Sequence, residues 1–202
     1  MFPLGMVLFP GAGLPLHVFE PRYRAMVRHC LDADEPEFGV VLIQRGHEVG
    51  GGEVRTDVGT VARIIEVGEL SDGRYVLATV GVRRVRVVRW LPDEPYPRAD
   101  VEDWPDAGGQ GADLDARYEA VTATLRRVLA LTAELGRPAA PATVDLTSEP
   151  TLGAYHAAAL APLGPLDQQR LLAAPGPSER LHLLAELLGE CDATLTLELT
   201  RG

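Results

Sequence analysis

The chain has 202 residues, 46% of them hydrophobic, and a formal net charge of −10. That is enough for one large domain or two subdomains sharing a core, without disulfide staples. Residues 1–104 carry 12 basic and 16 acidic groups and residues 105–202 carry 7 and 13, so neither half favours electrostatic capture of nucleic acid or an anionic membrane. All 19 basic residues are Arg, which excludes a phosphate-loop Lys, a Schiff-base Lys and a Ser-Lys dyad.

The first half reads as β. "MVLFPG" (6–11) predicts a short apolar strand ended by a Pro-Gly turn. Apolar residues crowd the irregular opening segment, Pro3, Leu4, Pro10, Leu14, Pro15, Leu16 and Phe19, and such residues either plug a barrel end or line a groove. Pro21 suits the first helical position, and Tyr23, Met26, Val27, Cys30 and Leu31 follow on one helical face. A strand is predicted over 37–46, and a Gly-rich turn over 46–54. Two long β-branched strands, 57–70 and 74–90, are joined by a hairpin at "SDG" (71–73). Gly81, inside the second, predicts a bend or bulge. Residues 96–104 supply one more short strand.

A polar linker at 103–113 separates this half from a helical one. Leu114, Tyr118, Val121, Leu125, Val128, Thr132 and Leu135 form a seam at helical spacing, and Gly136 is placed to end that helix. A Pro-rich connection (136–150) leads to a helix over 151–161 and a short one after Pro165. The last helix starts near Ser178 as N-cap.

The search for chemistry is nearly empty. Ser71, Ser148 and Ser178 lie outside any nucleophile-elbow motif. His17, His29, His47, His156 and His182 show no metal-ligand spacing. Adjacent helical positions point His29 and Cys30 about 100° apart, a poor nucleophile–base pair. "GGG" (50–52) reads as a hairpin tip. Cys30 and Cys191 read as buried small hydrophobes in a soluble, cytoplasmic protein. Arg83, Arg84, Arg86 and Arg89 form the one basic cluster. It reads as a solvated face or guarded edge, with acidic residues between 93 and 106 available to neutralise it.

"FPLGMVLFPGAGLPLHVFEPRYRAMV" (2–27) resembles the opening of the Lon substrate-binding domain, the N-terminal domain of Lon-type proteases. The resemblance continues through 38–43, 58–64, 72–87 and 96–102, and more loosely through 161–188. It implies an α+β fold: a PUA-like β-barrel of about six strands with an inserted helix (1–104), then a C-terminal α-helical bundle (105–202), together one domain. Its signature positions here are Pro3, Leu4, Pro10, Gly11, Pro15, Leu16, Phe19, Glu20, Pro21, Arg22 and Tyr23. Glu20 and Arg22 are expected to tie the helix start to the barrel.

The chain ends at Gly202, before the ATPase motor and peptidase of full Lon proteases, and so is similar to stand-alone bacterial members. The family pattern also leads one to expect the first strand to begin upstream of Met1. The function implied is a non-enzymatic module that binds exposed apolar polypeptide segments or one specific protein, through Leu14, Pro15, Leu16 and Phe19. The partners implied are unfolded or flexible segments, or a protease or chaperone. No catalytic residue, cofactor, metal or membrane is expected. A homodimer through the 114–135 helix is open. An RNA-binding PUA-like module is the alternative, by fold analogy alone.

Overall fold

Long β-branched runs and short turns give Met1–Pro105 one mixed sheet in the computed structural model, which describes residues 1–46, 48, 52–108 and 112–201. Its elements are β1 (Phe2–Leu4), β2 (Gly13–Val18), α1 (Pro21–Leu31), β3 (Glu37–Arg45), β4 (Val54–Glu69), β5 (Tyr75–Leu91) and β6 (Arg98–Asp103). The strand order is β1-β3-β4-β5-β2, with β6 also on β5. Among the described residues, only the β1–β3 pairing is parallel.

β5 is long enough to serve two partners on one side. Tyr75–Val80 pairs with β2, and Val85–Leu91 pairs with β6. The change of partner falls at Gly81, as its position in the run predicts. The register against β4 slips there, from Val61↔Arg83 to Ala62↔Gly81. Gly81 N–H donates to Ala12 O (2.9 Å), and its carbonyl accepts from Gly11 N (2.8 Å). A Cβ at Gly81 would stand 2.3 Å from the Phe9 carbonyl oxygen, so only glycine fits without displacement.

Two expectations for the sheet fail. Residues 6–11 are not a strand. Val7, Leu8 and Phe9 are buried on irregular backbone, with Leu8 O taken by the Thr60 hydroxyl (2.5 Å) rather than a ladder. Pro10-Gly11 does make the predicted turn, closed by Ala12 N→Phe9 O (3.1 Å) with Gly11 at φ +81°. The strand instead occupies 13–18, where Pro15 disguised it. An edge strand tolerates proline, and β2 is an edge.

The second correction concerns closure. β1 and β2 lie at opposite ends of the hydrogen-bonded path, and no ladder joins them among the described residues, so the sheet is open rather than a closed barrel. Each end strand carries a proline, Pro3 or Pro15, that cannot donate to a ladder. The core of this unit joins Phe2, Leu4, Val18, Phe38, Ile64 and Leu77 to Tyr23, Met26 and Val27 of α1. α1 therefore buries the face its spacing predicts.

The second unit, Asp106–Gly202, is helical: α2 (Ala112–Glu134), α3 (Pro150–Leu160), α4 (Pro165–Leu172) and α5 (Pro177–Arg201). α2 packs on α5 and α3, so its seam of Tyr118, Val121, Leu125 and Val128 is buried within its own unit. Gly136 (φ +71°) ends α2 in a Schellman motif, with Gly136 N→Ala133 O (2.9 Å) and Arg137 N→Thr132 O (3.1 Å). Ser178 is not the cap of α5: the helix begins at Pro177, with Arg180 N donating to Gly176 O (3.0 Å).

The 103–113 stretch is anchored where it is described. Trp104 N donates to Arg84 O (3.0 Å) in the sheet unit. Asp106 is bound by Arg180 in the helical one. Residues 109–111 lie outside the described residues, as do His47 and most of the Gly-rich tip, Gly50 and Gly51.

Candidate functional site

The open edge of the sheet holds a cavity of about 120 Å³. Phe2 and Leu4 line it from β1, and Leu16 and Val18 from β2, so it sits at the seam where the two end strands fail to pair. Phe19 and Tyr23 complete the apolar wall, and Glu20 and Glu48 bring carboxylates to it.

The period-2 geometry of β2 puts Leu14, Leu16 and Val18 on one face of the strand and Pro15 on the other. Leu14 and Val18 point into the core, and Leu14 is only 4% exposed. Leu14 therefore packs the interior instead of presenting a surface, contrary to its predicted place in the apolar groove. Leu16 is half-buried against the same core and lines the cavity. Pro15 points outward and is exposed. Phe19 follows the strand and is 54% exposed, a large apolar ring at the lip. On its other side a small recess of about 30 Å³ contains Leu70, Arg74 and Tyr75.

α1 supplies the polar part. Pro21 is at its first turn. Glu20 occupies the N-cap position with extended backbone, but its carboxylate does not cap the helix. It accepts instead from Arg22 Nε (3.1 Å). Arg22 Nη2 donates to the Glu48 carbonyl (3.1 Å), and its guanidinium lies 4.4 Å from the Tyr23 ring centre. Arg22 thus bridges the helix start to the β3–β4 connection rather than forking onto one carboxylate. Glu48 Oε1 accepts from Gly5 N (2.5 Å).

Tyr23 stacks on Phe2, with ring centres 4.2 Å apart. Its hydroxyl is buried with no hydrogen-bond partner among the described residues. Burial pushes the phenol up to about 12, so it keeps its proton at any neutral pH. Glu53 shows a related imbalance: one oxygen takes Arg55 Nε (2.8 Å) and the other is buried without a partner. Leu4, one of the apolar candidates, does reach the seam, whereas Phe2 and Glu48 escape sequence reasoning because only the tertiary fold brings them beside β2.

The basic cluster is spent internally. Arg83 grips Glu37 with two bonds (2.9 and 2.6 Å) and also meets Asp103 (2.9 Å). Those bonds hold the Glu37 carboxyl below the usual range. Arg89 pairs with Asp100. Arg84 is buried, and both Arg84 and Arg86 lie over the Trp104 ring, at 4.5 and 4.2 Å. Such committed, stacked guanidinium groups leave little of the free basic surface that phosphate binding requires.

His29 meets the Tyr96 hydroxyl through Nδ1 rather than a thiol. Burial raises both Cys30 and Cys191, which disfavours thiolate at either. Among the described residues, no group of three His, Cys, Asp or Glu is placed to hold a metal ion, and no helix is long and apolar enough to cross a membrane. A larger groove of about 430 Å³ in the helical unit runs past Leu163, Leu187, Cys191 and Leu195, and its rim is tied by Arg137–Glu198 and Arg170–Asp167 pairs.

Among the described residues the chain is an open six-stranded mixed sheet with an inserted helix, followed by a helical second unit. Residues 1–190 match the model of the ATP-dependent protease La (LON) substrate-binding domain, and the chain belongs to that family. It is 30% identical to "Lon protease 2" of Sorangium cellulosum over 190 residues, 91% of this chain and 23% of that protein. It is 29% identical to "Lon protease 2" of Herpetosiphon aurantiacus over 197 residues, 96% and 24% respectively. The chain thus spans about a quarter of the length of these curated relatives.

The crystal structure of a Lon N-terminal domain protein from Xanthomonas campestris is 29% identical, with a TM-score of 0.62 over 91% of this chain and 94% of that one. The N-terminal domain of the Mycobacterium avium complex Lon protease shares the fold at 17% identity, with a TM-score of 0.64 over 93% and 96%. The α+β architecture, six strands and five helices among the described residues, is that of the Lon N-terminal domain.

Proposed function

We propose that this domain is a non-enzymatic, cytoplasmic protein-binding module that takes exposed apolar polypeptide segments at the β1–β2 seam. The observation that carries the reading is a large exposed ring, Phe19, at the lip of an apolar cavity lined by Leu16 and Phe2. Half-exposed aromatics beside pockets are where binding energy concentrates. The family's printed description, a substrate-binding domain, agrees with this role. The matching fold reading is a PUA-like barrel opened along that seam and followed by a helical bundle.

The test is fluorescence anisotropy of a labelled, unstructured apolar peptide titrated with the protein and competed with unlabelled RNA. Saturable binding that resists RNA is expected. Phe19→Ala and Leu16→Ala should each weaken it by roughly tenfold, the effect of losing about 1.4 kcal/mol. Unchanged affinity in folded variants would move the site elsewhere. Displacement by RNA, with a steep salt dependence lost in Arg84→Ala/Arg86→Ala, would favour the RNA reading instead.

A further inference from the structure

We infer that the bound segment joins the sheet as an added strand on the free edge of β2, with one of its alternate side chains in the seam cavity. The inference rests on the proposed binding role and gives it a geometry. The direction of the β2 backbone groups is fixed by their bonds to β5. Gly81 N–H donates to Ala12 O (2.9 Å) and the Thr79 hydroxyl donates to Leu14 O (2.7 Å), so both carbonyls face β5. Successive residues of a strand turn their N–H and C=O groups to opposite sides. Gly13, Pro15 and His17 therefore turn theirs away from β5, to an edge with no ladder among the described residues. The Gly13 and His17 N–H groups and the carbonyls of all three stand open along it. Pro15 adds an acceptor there and no donor.

The same alternation separates two kinds of contact. Leu16 and Val18 turn inward and line the cavity, and His17 lines it too, so the cavity adjoins the free edge. On an added strand, residues opposite Gly13, Pro15 and His17 make the backbone bonds. The residues between them point to the inward face. One of these meets the cavity, whose volume of about 120 Å³ and walls of Phe2, Leu4, Leu16 and Val18 suit a single apolar side chain. Main-chain bonds then hold any extended segment, and the pocket supplies the preference.

A second copy of β2 is a poorer occupant. Antiparallel pairing that sets Gly13 against His17 in both directions sets Pro15 against Pro15, where neither has an N–H to give. Proline on an edge strand guards against self-pairing in this way. A foreign backbone brings its own donor to the Pro15 carbonyl.

The experiment titrates the whole chain against a labelled, unstructured apolar peptide made in two series. In one, each backbone amide in turn becomes an ester, which removes a single N–H donor. In the other, each side chain in turn becomes alanine. Ester replacement is expected to weaken binding roughly fivefold at alternate positions, the scale of one hydrogen bond, and alanine sensitivity should fall on the positions between. Pro15→Ala gives the edge its missing donor and should tighten binding by a similar factor. His17→Pro removes a donor and should weaken it, with folding checked by circular dichroism. Ester effects that are absent or uniform along the peptide, beside intact side-chain sensitivity, overturn strand addition and leave apolar recognition standing. Unchanged affinity in folded Pro15→Ala overturns it as well. A wild-type dimer in sedimentation that His17→Pro dissociates would assign the edge to a second copy and also overturn it. If no peptide of either series binds, the apolar-segment reading fails and takes the inference with it.

Discussion

In the helical unit, Arg180 is fully buried and its donors have acceptors. Asp106 takes two bonds (2.7 and 3.2 Å), Leu171 O takes Nε (3.1 Å), and Ala174 O takes Nη2 (3.3 Å). The Tyr155 ring lies 3.8 Å beneath it, and the Tyr155 hydroxyl donates to the same carboxylate (3.0 and 3.1 Å). In the sheet unit, Tyr23 is equally hidden and its hydroxyl has no partner among the described residues. A closed polar network is a structural device, because every member is satisfied without help. An unmatched hydroxyl leaves part of its burial uncompensated. The proposed binding seam lies in the unit that holds it, even though the larger groove lies in the helical unit.

Breaking the closed network gives the largest effect. Arg180→Met strands Asp106 and should cost about 3–5 kcal/mol in urea unfolding, as removing one partner of a buried pair does. A loss below about 1 kcal/mol would mean that the network supports little. Next comes Gly81→Ala, which drives a methyl onto the Phe9 carbonyl. A cost of about 1–3 kcal/mol is expected from the overpacking, read as a lower denaturant midpoint at unchanged slope.

The open side responds to pH instead. The Tyr23 phenol is raised above its unfolded value of 10.0 to about 12. Its contribution to stability is complete below pH 10 and lost as pH climbs from there through 12, because the unfolded chain ionises first. Tyr23→Phe should flatten that alkaline decline without weakening the fold at neutral pH. Glu37 behaves in the opposite sense. Held below its ordinary 4.5 by Arg83, it stabilises above that pH and loses the benefit as acid titrates it. Arg83→Met should therefore soften the acid limb, by less than about 1 kcal/mol for so exposed a pair. Phe19→Ala should change stability least, within about 0.5 kcal/mol, because its ring is more than half exposed.

Local signals carried much of the architecture. Pro21, the face of Tyr23, Met26 and Val27, the "SDG" turn and Gly136 each act over a few residues, so their elements are readable from sequence. β2 was hidden because Pro15 argues against a strand, and only its place at a sheet edge removes the objection. Residues 6–11 misled for the converse reason: a buried apolar run need not be paired. Of the predicted groove residues, Leu16 and Phe19 line the cavity while Leu14, on the same strand face as Leu16, is buried in the core. Two residues that share a face in sequence are told apart only by what the fold packs against each. The Asp106–Arg180 pair spans 74 residues and has no local signature at all.

The pairing of β2 with β5 has a consequence for synthesis on the ribosome. The Thr79 hydroxyl that fastens Leu14 reaches back 65 residues, whereas the Arg180–Leu171 bond reaches only nine. Long-range pairing of this kind is slow, because a large loop must close before any contact rewards it. Leu16 and Phe19 thus leave the exit tunnel well before Tyr75–Val80 exists to receive them. During that interval the segment proposed to read unfolded chains is itself an exposed apolar stretch of a nascent one.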